Sequence, residues 1–207
     1  EVVERPALRA GMAVSSNGAM VLGYHPVEVL HSVTFDASEA VRRVLEQVPD
    51  ALVAVEEIGV GYRVNAPFPE GEVSGRITVE DVDSLVSEPV TRVVIRAPGH
   101  DAQEFADVVE GLGLTETNYY IGYTAWLDLA PQGVSKASGL EMACARLDIA
   151  PADVLAIGDG FNDVEMLEWA GRGVAMGQAP QPVQAGAGDV TGTVAEAGLA
   201  AELRRYL

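Results

Sequence analysis

The sequence has little that could cross-link the chain or anchor it in a membrane. It contains a single cysteine, Cys144, so an internal disulfide is excluded. Cys144 falls in a predicted helix, where a small core residue is expected rather than a nucleophile. No run approaches the roughly 18 consecutive apolar residues that a membrane-spanning helix needs. No basic and apolar leader opens the chain, and together these absences predict a cytoplasmic protein.

Basic residues are also scarce. The chain has 13 Lys and Arg against 31 Asp and Glu, which gives a formal net charge of −18. Nucleic acids and anionic membranes attract concentrated Lys and Arg, so neither is expected as a partner. Hydrophobic residues at 48% and charged residues at 21% are typical of a globular protein. The 207 residues are enough for a sizeable core in one large or two small domains.

The most informative stretch runs from Val154 to Leu167 and reads Val-Leu-Ala-Ile-Gly-Asp-Gly-Phe-Asn-Asp-Val-Glu-Met-Leu. Its four apolar residues, 154–157, predict a strand that is buried on both faces, as in a parallel sheet. Gly158 and Gly160 follow, and they allow the backbone to turn sharply because neither carries a Cβ atom.

A helix is predicted after this turn, with Asn162 as its N-cap and Glu165 as the other half of a capping box. Asp159 ends the predicted strand and Asp163 lies in the first helical turn. Open α/β sheets build their sites at the carboxyl ends of strands, and two carboxylates there favour Mg²⁺ beside a phosphate. An EF-hand is excluded because its third ligand would be Phe161. Alone, Asn162 could be only a cap and Asp163 only a partner of the helix dipole, but their assembly in one run favours a site.

Two further segments carry candidate residues. Residues 12–16 predict a short strand that ends in the turn Asn17-Gly18, where turn chemistry alone would account for the asparagine. Lys136 lies in the first turn of a helix predicted over 135–147. A cation is unfavourable at this end of a helix dipole unless the side chain faces an anion that also meets the helix terminus.

The remaining pattern predicts an α/β protein of two domains. Residues 27–127 alternate short strands with two or three helices, which indicates an α+β sheet domain. This block lies between 1–26 and 128–207, and the second of these segments has a βαβα pattern. The sequence therefore predicts that one domain is inserted between the two parts of another. Helices are expected at 37–48, 78–86, 101–112, 135–147 and 180–187, and strands at 52–55, 62–64, 90–96, 115–121, 124–129, 154–157 and 173–176.

Four motifs resemble the haloacid dehalogenase (HAD) superfamily, specifically its Cof-like phosphatase branch. Gly158-Asp-Gly-Phe-Asn-Asp163 is similar to the last motif of that family, and Gly173-Val-Ala-Met-Gly-Gln-Ala-Pro180 continues the resemblance. Pro131-Gln-Gly-Val-Ser-Lys136 resembles its lysine motif, and Ser16-Asn-Gly-Ala19 its strand-end turn into the cap domain. The resemblance implies a HAD-like Rossmannoid core with a parallel sheet (1–26 and 128–207) and an inserted α+β cap domain.

The resemblance also implies a function. It predicts a Mg²⁺-dependent phosphatase that hydrolyses a small phosphorylated metabolite, such as a sugar phosphate, through an aspartyl-phosphate intermediate, as a monomer or homodimer. Asp159 would be a Mg²⁺ ligand, and Asp163 would either bind the ion through a water molecule or orient the groups around it. Lys136 and Asn162 would contact the phosphate, and Asn17 would line the site. Gln178 stands where this branch usually has the Asn of a Gly-Asn-Ala turn.

The sequence departs from the family in one essential respect. The Asp-x-Asp-Gly-Thr motif that carries the nucleophile is absent, and so is the later Thr-Gly-Arg motif. Asp81-Val-Asp83, which has the Asp-x-Asp spacing, falls in the predicted cap. We expect that a segment with both motifs is missing, which would expose strand edges and apolar faces of the core. The alternative is a non-catalytic pseudo-phosphatase, or a module that binds phosphate or metal.

Overall fold

The computed structural model describes residues 11–24, 26–115, 117–122 and 124–206. Residues 1–10, which begin the predicted core segment 1–26, and Leu207, which ends the predicted core segment 128–207, lie outside these residues. The described residues form two compact units. The first contains the residues up to His31 and those from Val134 onwards, and the second runs from Ser32 to Gly133. These divisions fall a few residues after the predicted boundaries at 26/27 and 127/128.

The described residues alternate strands and helices, which confirms the α/β fold class. No helix among them is long and apolar enough to cross a membrane. In chain order the strands are β1 (Gly11–Ser15), β2 (Met20–Tyr24), β3 (Glu28–Ser32), β4 (Leu52–Glu57), β5 (Gly61–Val64), β6 (Arg76–Val79), β7 (Val93–Arg96), β8 (Thr117–Ile121), β9 (Trp126–Pro131), β10 (Leu155–Gly158), β11 (Arg172–Ala175) and β12 (Asp189–Val190). The helices are α1 (Ser38–Gln47), α2 (Val82–Leu85), α3 (Ala102–Leu112), α4 (Lys136–Leu147), α5 (Val164–Trp169), α6 (Gln181–Gly186) and α7 (Gly198–Leu203).

The second unit is built on a six-stranded sheet in the order β6-β5-β4-β7-β9-β8. Neighbouring strands are antiparallel except for the parallel pair of β5 and β6. Alternate residues of β4 and β7, such as Val53 and Ile95, join Val44 of α1 and Phe105 of α3 in the main core of the unit. The other face carries a smaller apolar cluster around Val94. This is the α+β sheet unit that the sequence pattern predicts.

One predicted helix of this unit is wrong over half its length. Residues 78–86 were expected to be helical, but Thr78 and Val79 belong to β6, which pairs with β5. The helix is limited to Val82–Leu85. Asp81 is its N-cap and accepts a hydrogen bond from the Ser84 backbone N–H. The run of β-branched residues before Asp81 favours a strand, and the acidic pattern concealed that preference.

The first unit contains two three-stranded sheets. One has the order β1-β2-β3, with β1 and β2 antiparallel, and the other has the order β10-β11-β12 and is parallel. Helix α4 packs against β1 and against α5. Gly158 of β10 lies opposite Ala175 of β11 in register, so the carboxyl ends of these strands meet at one edge. That edge positions the loops that carry Asp159 and Gln178.

The predicted burial of β10 on both faces is only partly correct. Ala156 and Gly158 are buried, whereas Leu155 and Ile157 on the alternate positions are half-buried. Among the described residues, β10 has a neighbouring strand on one side only, which is β11. The strand is therefore an edge strand in this part of the chain, and one of its faces is incompletely covered.

An ion-pair network ties the C-terminal helix α7 to β11. The side chain of Glu202 is only 4% exposed and accepts hydrogen bonds from Arg172 Nε at 2.6 Å and Arg205 at 2.9 Å. Arg172 also donates to Asp189 Oδ2 at 3.0 Å. The Arg172 hydrogen bond holds the pKa of Glu202 below its ordinary value. The carboxylate of Glu202 thus stabilises the fold only while it is ionised.

We expect Glu202→Gln to destabilise the protein at neutral pH and to lose this effect in acid. A carboxyl group whose folded-state pKa is lowered contributes fully above its unfolded-state pKa of about 4.3, and the contribution disappears as pH falls through the folded-state value. Urea unfolding of both proteins at several pH values measures the gap. The exposed Glu141→Gln on α4 is the control. A gap that stays constant between neutral pH and pH of about 3 would contradict the role of the ionised pair.

Candidate active site

The carboxylate of Asp163 connects the loop after β10 with the start of α4. Asp163 ends a 3-10 turn, Phe161–Asp163, and is 5% exposed. Its Oδ2 accepts hydrogen bonds from the backbone N–H groups of Asp159 and Gly160, both at 2.9 Å. Its Oδ1 accepts from Lys136 Nζ at 2.5 Å. Charge-assisted bonds of this kind are the strong ones, so the carboxylate and the ammonium group are fixed relative to the loop.

The predicted capping box of Asn162 and Glu165 is wrong. Helix α5 begins at Val164, and its N-cap is Asp163, which makes no side-chain cap to that helix. The Asp163 carboxylate instead points back to the loop and satisfies the N–H groups there. The side chain of Asn162 is turned elsewhere, and its Nδ2 donates to Asn17 Oδ1 at 3.1 Å. Within this 3-10 turn the two neighbouring side chains therefore contact different parts of the unit.

Both glycines of the motif lie close to side chains of the following turn. A Cβ atom on Gly158 would lie 2.5 Å from Cβ and Cγ of Asp163, and one on Gly160 would lie 2.6 Å from Asn162 Oδ1. Gly160 has φ −101° and ψ 164°, which is extended backbone that any residue adopts. The predicted need for a sharp turn is therefore not the reason for glycine at this position. The reason is that the side chains of the following turn fold back over the backbone.

Lys136 is placed by the contact between α4 and the turn after β1. Ser135 is the N-cap of α4, so Lys136 is the first helical residue. A Cβ atom on Gly18, which has φ 104°, would lie 1.9 Å from the carbonyl oxygen of Ser135. A Cβ atom on Gly139 would lie 2.5 Å from Val14 Cγ1. Both glycines let the helix start lie directly against this turn, which brings Lys136 to the same part of the unit as Asn17.

The turn after β1 has an unusual backbone. Ser16 and Asn17 have φ values of 54° and 53°, which are uncommon for residues other than glycine. Asn17 Nδ2 and Ser15 Oγ are buried, and neither finds a hydrogen-bond partner among the described residues. Buried polar groups are nearly always satisfied, and strained backbone is concentrated at functional sites. The turn therefore presents polar atoms for which the described part of the chain supplies no acceptor.

Asp159 extends from the end of β10 and is exposed. Its Oδ2 accepts a hydrogen bond from Gln178 Nε2 at 2.9 Å. The Oε1 atom of the same glutamine accepts from the backbone N–H of Val194 at 3.1 Å. Sequence reasoning identified Gln178 only as a replacement and missed this contact. The signal was available, because Gln178 follows β11, which is expected to lie beside β10 in a parallel sheet.

The chemistry of these residues fits a divalent cation that has few protein ligands. Among the described residues, no three His, Cys, Asp or Glu side chains are grouped closely enough to hold a metal. Mg²⁺ commonly keeps several waters and binds one or two carboxylates together with phosphate oxygens. The exposed carboxylate of Asp159 fits that chemistry. Asp163 already accepts two backbone N–H groups and an ammonium group, so its oxygens are less accessible to a cation.

Comparison with known proteins adds to this geometry. A family model described as haloacid dehalogenase-like hydrolase matches residues 3–203. The chain is 47% identical over 72 residues to an uncharacterized protein in the pdhA 5' region of Geobacillus stearothermophilus, covering 35% of this chain and 76% of that protein. It is 31% identical over 132 residues to the 5-amino-6-(5-phospho-D-ribitylamino)uracil phosphatase YitU of Bacillus subtilis, covering 63% of this chain and 49% of YitU. The chain covers only part of some curated relatives, for example 22% of the chloroplastic endoribonuclease YBEY of Arabidopsis thaliana.

Solved structures are similar over nearly the whole chain. One is BT1666 from Bacteroides thetaiotaomicron, which is described among phosphatases of the HAD superfamily. It matches with a TM-score of 0.69 and 27% identity, and the match covers 91% of this chain and 71% of that one. The predicted HAD-like Rossmannoid core is thus confirmed as the fold class.

We expect Gly158→Ala to destabilise the protein by about 1–3 kcal/mol, the usual range for inserting a methyl group where there is no space. The added Cβ must displace Asp163, and with it the contacts to Lys136 and to the loop. Denaturant unfolding followed by circular dichroism measures the change. Gly188→Ala is a control in the same unit, because its Cβ would meet a backbone oxygen only at 3.5 Å. Equal stability of the two variants would contradict the steric argument.

Proposed function

Because the chain belongs to the haloacid dehalogenase-like hydrolases, we propose that it supplies part of the active site of a Mg²⁺-dependent phosphatase. The substrate class is a small phosphomonoester of the sugar-phosphate kind. The observation that carries the proposal is the 2.5 Å contact of Lys136 with Asp163, whose other oxygen holds the Asp159 loop. An ammonium group fixed at a helix start beside this loop is suited to an oxyanion.

The charges of the cluster support a cation together with a phosphate. Asp159 and Asp163 contribute two negative charges and Lys136 one positive charge, so the cluster alone repels a phosphoester dianion. A divalent cation reverses the sign and makes the site attractive, even in a chain with a net charge of −18. When bound, Mg²⁺ would neutralise charge on the phosphoryl oxygens. Asp159 would hold it, and Lys136 would contact the phosphate oxygens.

We assign Asp163 the role of orienting its neighbours. Of the two roles that the resemblance left open, ligation through water and orientation, the second agrees with its contacts. The carboxylate accepts from the N–H groups of Asp159 and Gly160, which sets the loop, and from Lys136, which sets the ammonium group. Asn162 would contact the phosphate. Asn17 would line the site, and its buried Nδ2 supports an acceptor nearby.

We propose that the nucleophile of this reaction is supplied by residues outside these 207. The sequence has no Asp-x-Asp-Gly-Thr motif, and Asp81 and Asp83 have other roles. Asp81 caps α2, and Asp83 forms an exposed ion pair with Arg42. In the proposed reaction an aspartate oxygen attacks phosphorus while the bond to the leaving alcohol breaks, and water then hydrolyses the acyl phosphate. The name of YitU, a phosphatase that acts on a phosphoribityl compound, supports a small phosphomonoester as the substrate.

Lys136→Ala should lower kcat/KM for a phosphomonoester by about 100-fold or more in a protein that joins this chain to the nucleophile segment. The reason is that one fixed donor to the phosphoryl oxygens is lost. p-Nitrophenyl phosphate hydrolysis with Mg²⁺ measures the effect. Arg146→Ala in the last turn of the same helix is the matched control and should leave turnover unchanged. Unchanged kinetics in Lys136→Ala would remove this residue from the site.

Phosphate and Mg²⁺ together should slow the acylation of Lys136 by an amine-selective reagent. Lys136 is the sole lysine of the sequence and its side chain is 31% exposed, so peptide mass spectrometry reads one side chain, with the N-terminal amine as an internal control. In Asp159→Asn the protection should no longer depend on Mg²⁺. An acylation rate that is unchanged by phosphate and Mg²⁺ would contradict the proposal that Lys136 contacts phosphate. Protection with no turnover in the joined protein would favour a non-catalytic binding module instead.

A further inference from the structure

Gln178 joins the loop of Asp159 to a second loop of the same unit. Its side-chain amide donates one hydrogen bond and accepts another. Nε2 donates to Asp159 Oδ2 at 2.9 Å, and Oε1 accepts from Val194 N–H at 3.1 Å. The partners fix the amide orientation, because the opposite orientation would place the oxygen against a carboxylate and the NH₂ group against an N–H donor.

Val194 belongs to a loop, residues 191–198, that is held by hydrogen bonds of its own. Thr193 donates to Glu196 Oε2 through its N–H group and through its hydroxyl, both at 2.9 Å. The N–H of Gly198 donates to the Thr193 carbonyl at 2.9 Å, and the N–H of Thr191 donates to Ala175 at the end of β11. Val194 N–H therefore has a position that does not depend on Gln178.

The backbone that carries Gln178 is supported as well. Gln184 of α6 donates through Nε2 to the carbonyl oxygens of Gly177 and Ala179, at 3.2 and 2.9 Å. The residues on both sides of Gln178 are thus fixed to a helix of the unit. With its backbone and its Oε1 partner both fixed, the side chain delivers its NH₂ group to one place, which is the Asp159 carboxylate.

We propose that Gln178 is a positioning residue, which sets the orientation in which Asp159 binds a divalent cation and couples that carboxylate to residues 191–198. The inference rests on the proposed function, because it presupposes that Asp159 is a metal ligand. Groups that hydrogen-bond a ligating carboxylate orient it, and their loss commonly reduces metal affinity 10- to 100-fold. Gln178 is exposed, and its two hydrogen bonds join its side chain to Asp159 and to Val194.

The test is Mn²⁺ binding to the full chain, measured by electron paramagnetic resonance as loss of the free-ion signal. Gln178→Met keeps the length of the side chain and removes both hydrogen bonds, and we expect about 10-fold weaker binding or more. Gln181→Met, an equally exposed glutamine at the start of α6, should bind as the wild type does. In an Asp159→Asn background, Gln178→Met should cause no further loss, because Gln178 acts through that carboxylate.

Hydrogen exchange provides a readout that needs no metal. The Val194 amide should exchange faster in Gln178→Met than in the wild type. If Gln178→Met folds poorly, Gln178→Ala takes its place and should show the same change. Wild-type affinity in both Gln178 variants, or an unchanged Val194 amide, would overturn the inference. A further loss of affinity in the Asp159→Asn background would also overturn it. A wild-type chain that binds Mn²⁺ no better than Asp159→Asn would overturn the proposed metal site itself, and is thereby distinguishable from failure of the inference alone.

Discussion

The first unit depends on one carboxylate that accepts three hydrogen bonds. Asp163 binds two backbone N–H groups of the loop after β10 and the ammonium group of Lys136 from a helix 27 residues earlier in the chain. A buried carboxylate without these donors would be costly, and Lys136 without it would be an isolated cation at the wrong end of a helix dipole. The Asp163 carboxylate and the Lys136 ammonium group therefore each offset the cost of placing the other there. The glycine at 158 follows from this arrangement, since the Asp163 side chain occupies the space that a Cβ atom would need.

The same arrangement explains how a strongly acidic chain can be reconciled with a phosphorylated substrate. The sequence contains one lysine, and the structure places its ammonium group 2.5 Å from Oδ1 of Asp163. Net charge describes the outer field of a protein, whereas a site of a few fixed groups sets its own local field. A cation held by Asp159 would add to the charge of Lys136. The overall charge of −18 is thus compatible with the proposed chemistry.

Sequence patterns predicted the elements that carry the site, since the glycine-rich run after a buried strand and the lysine in a first helical turn both depend on local chemistry. The contact of Asn162 with Asn17 was not predictable, because it joins residues 145 positions apart through side-chain rotamers. The assignment of Asn162 as a cap failed for a related reason. Cap preferences describe an isolated helix end. Here the Asp163 carboxylate accepts from N–H groups of the preceding loop, and the Asn162 side chain donates to Asn17. The strand at 76–79 was missed because pairing with β5 outweighs a weak local helix signal.

The open edge of β10 bears on where a nucleophile could come from. Within the described residues this strand pairs only with β11, and its half-buried Leu155 and Ile157 leave one face incompletely covered. A further parallel strand on that edge would bring its own carboxyl end beside Asp159, just as β11 brings Gln178 there from the other side. Carboxyl ends of neighbouring parallel strands converge without any help from loops. An aspartate at the end of such a strand would therefore face the Asp159 loop and Lys136, which is the arrangement that the proposed phosphoryl transfer requires.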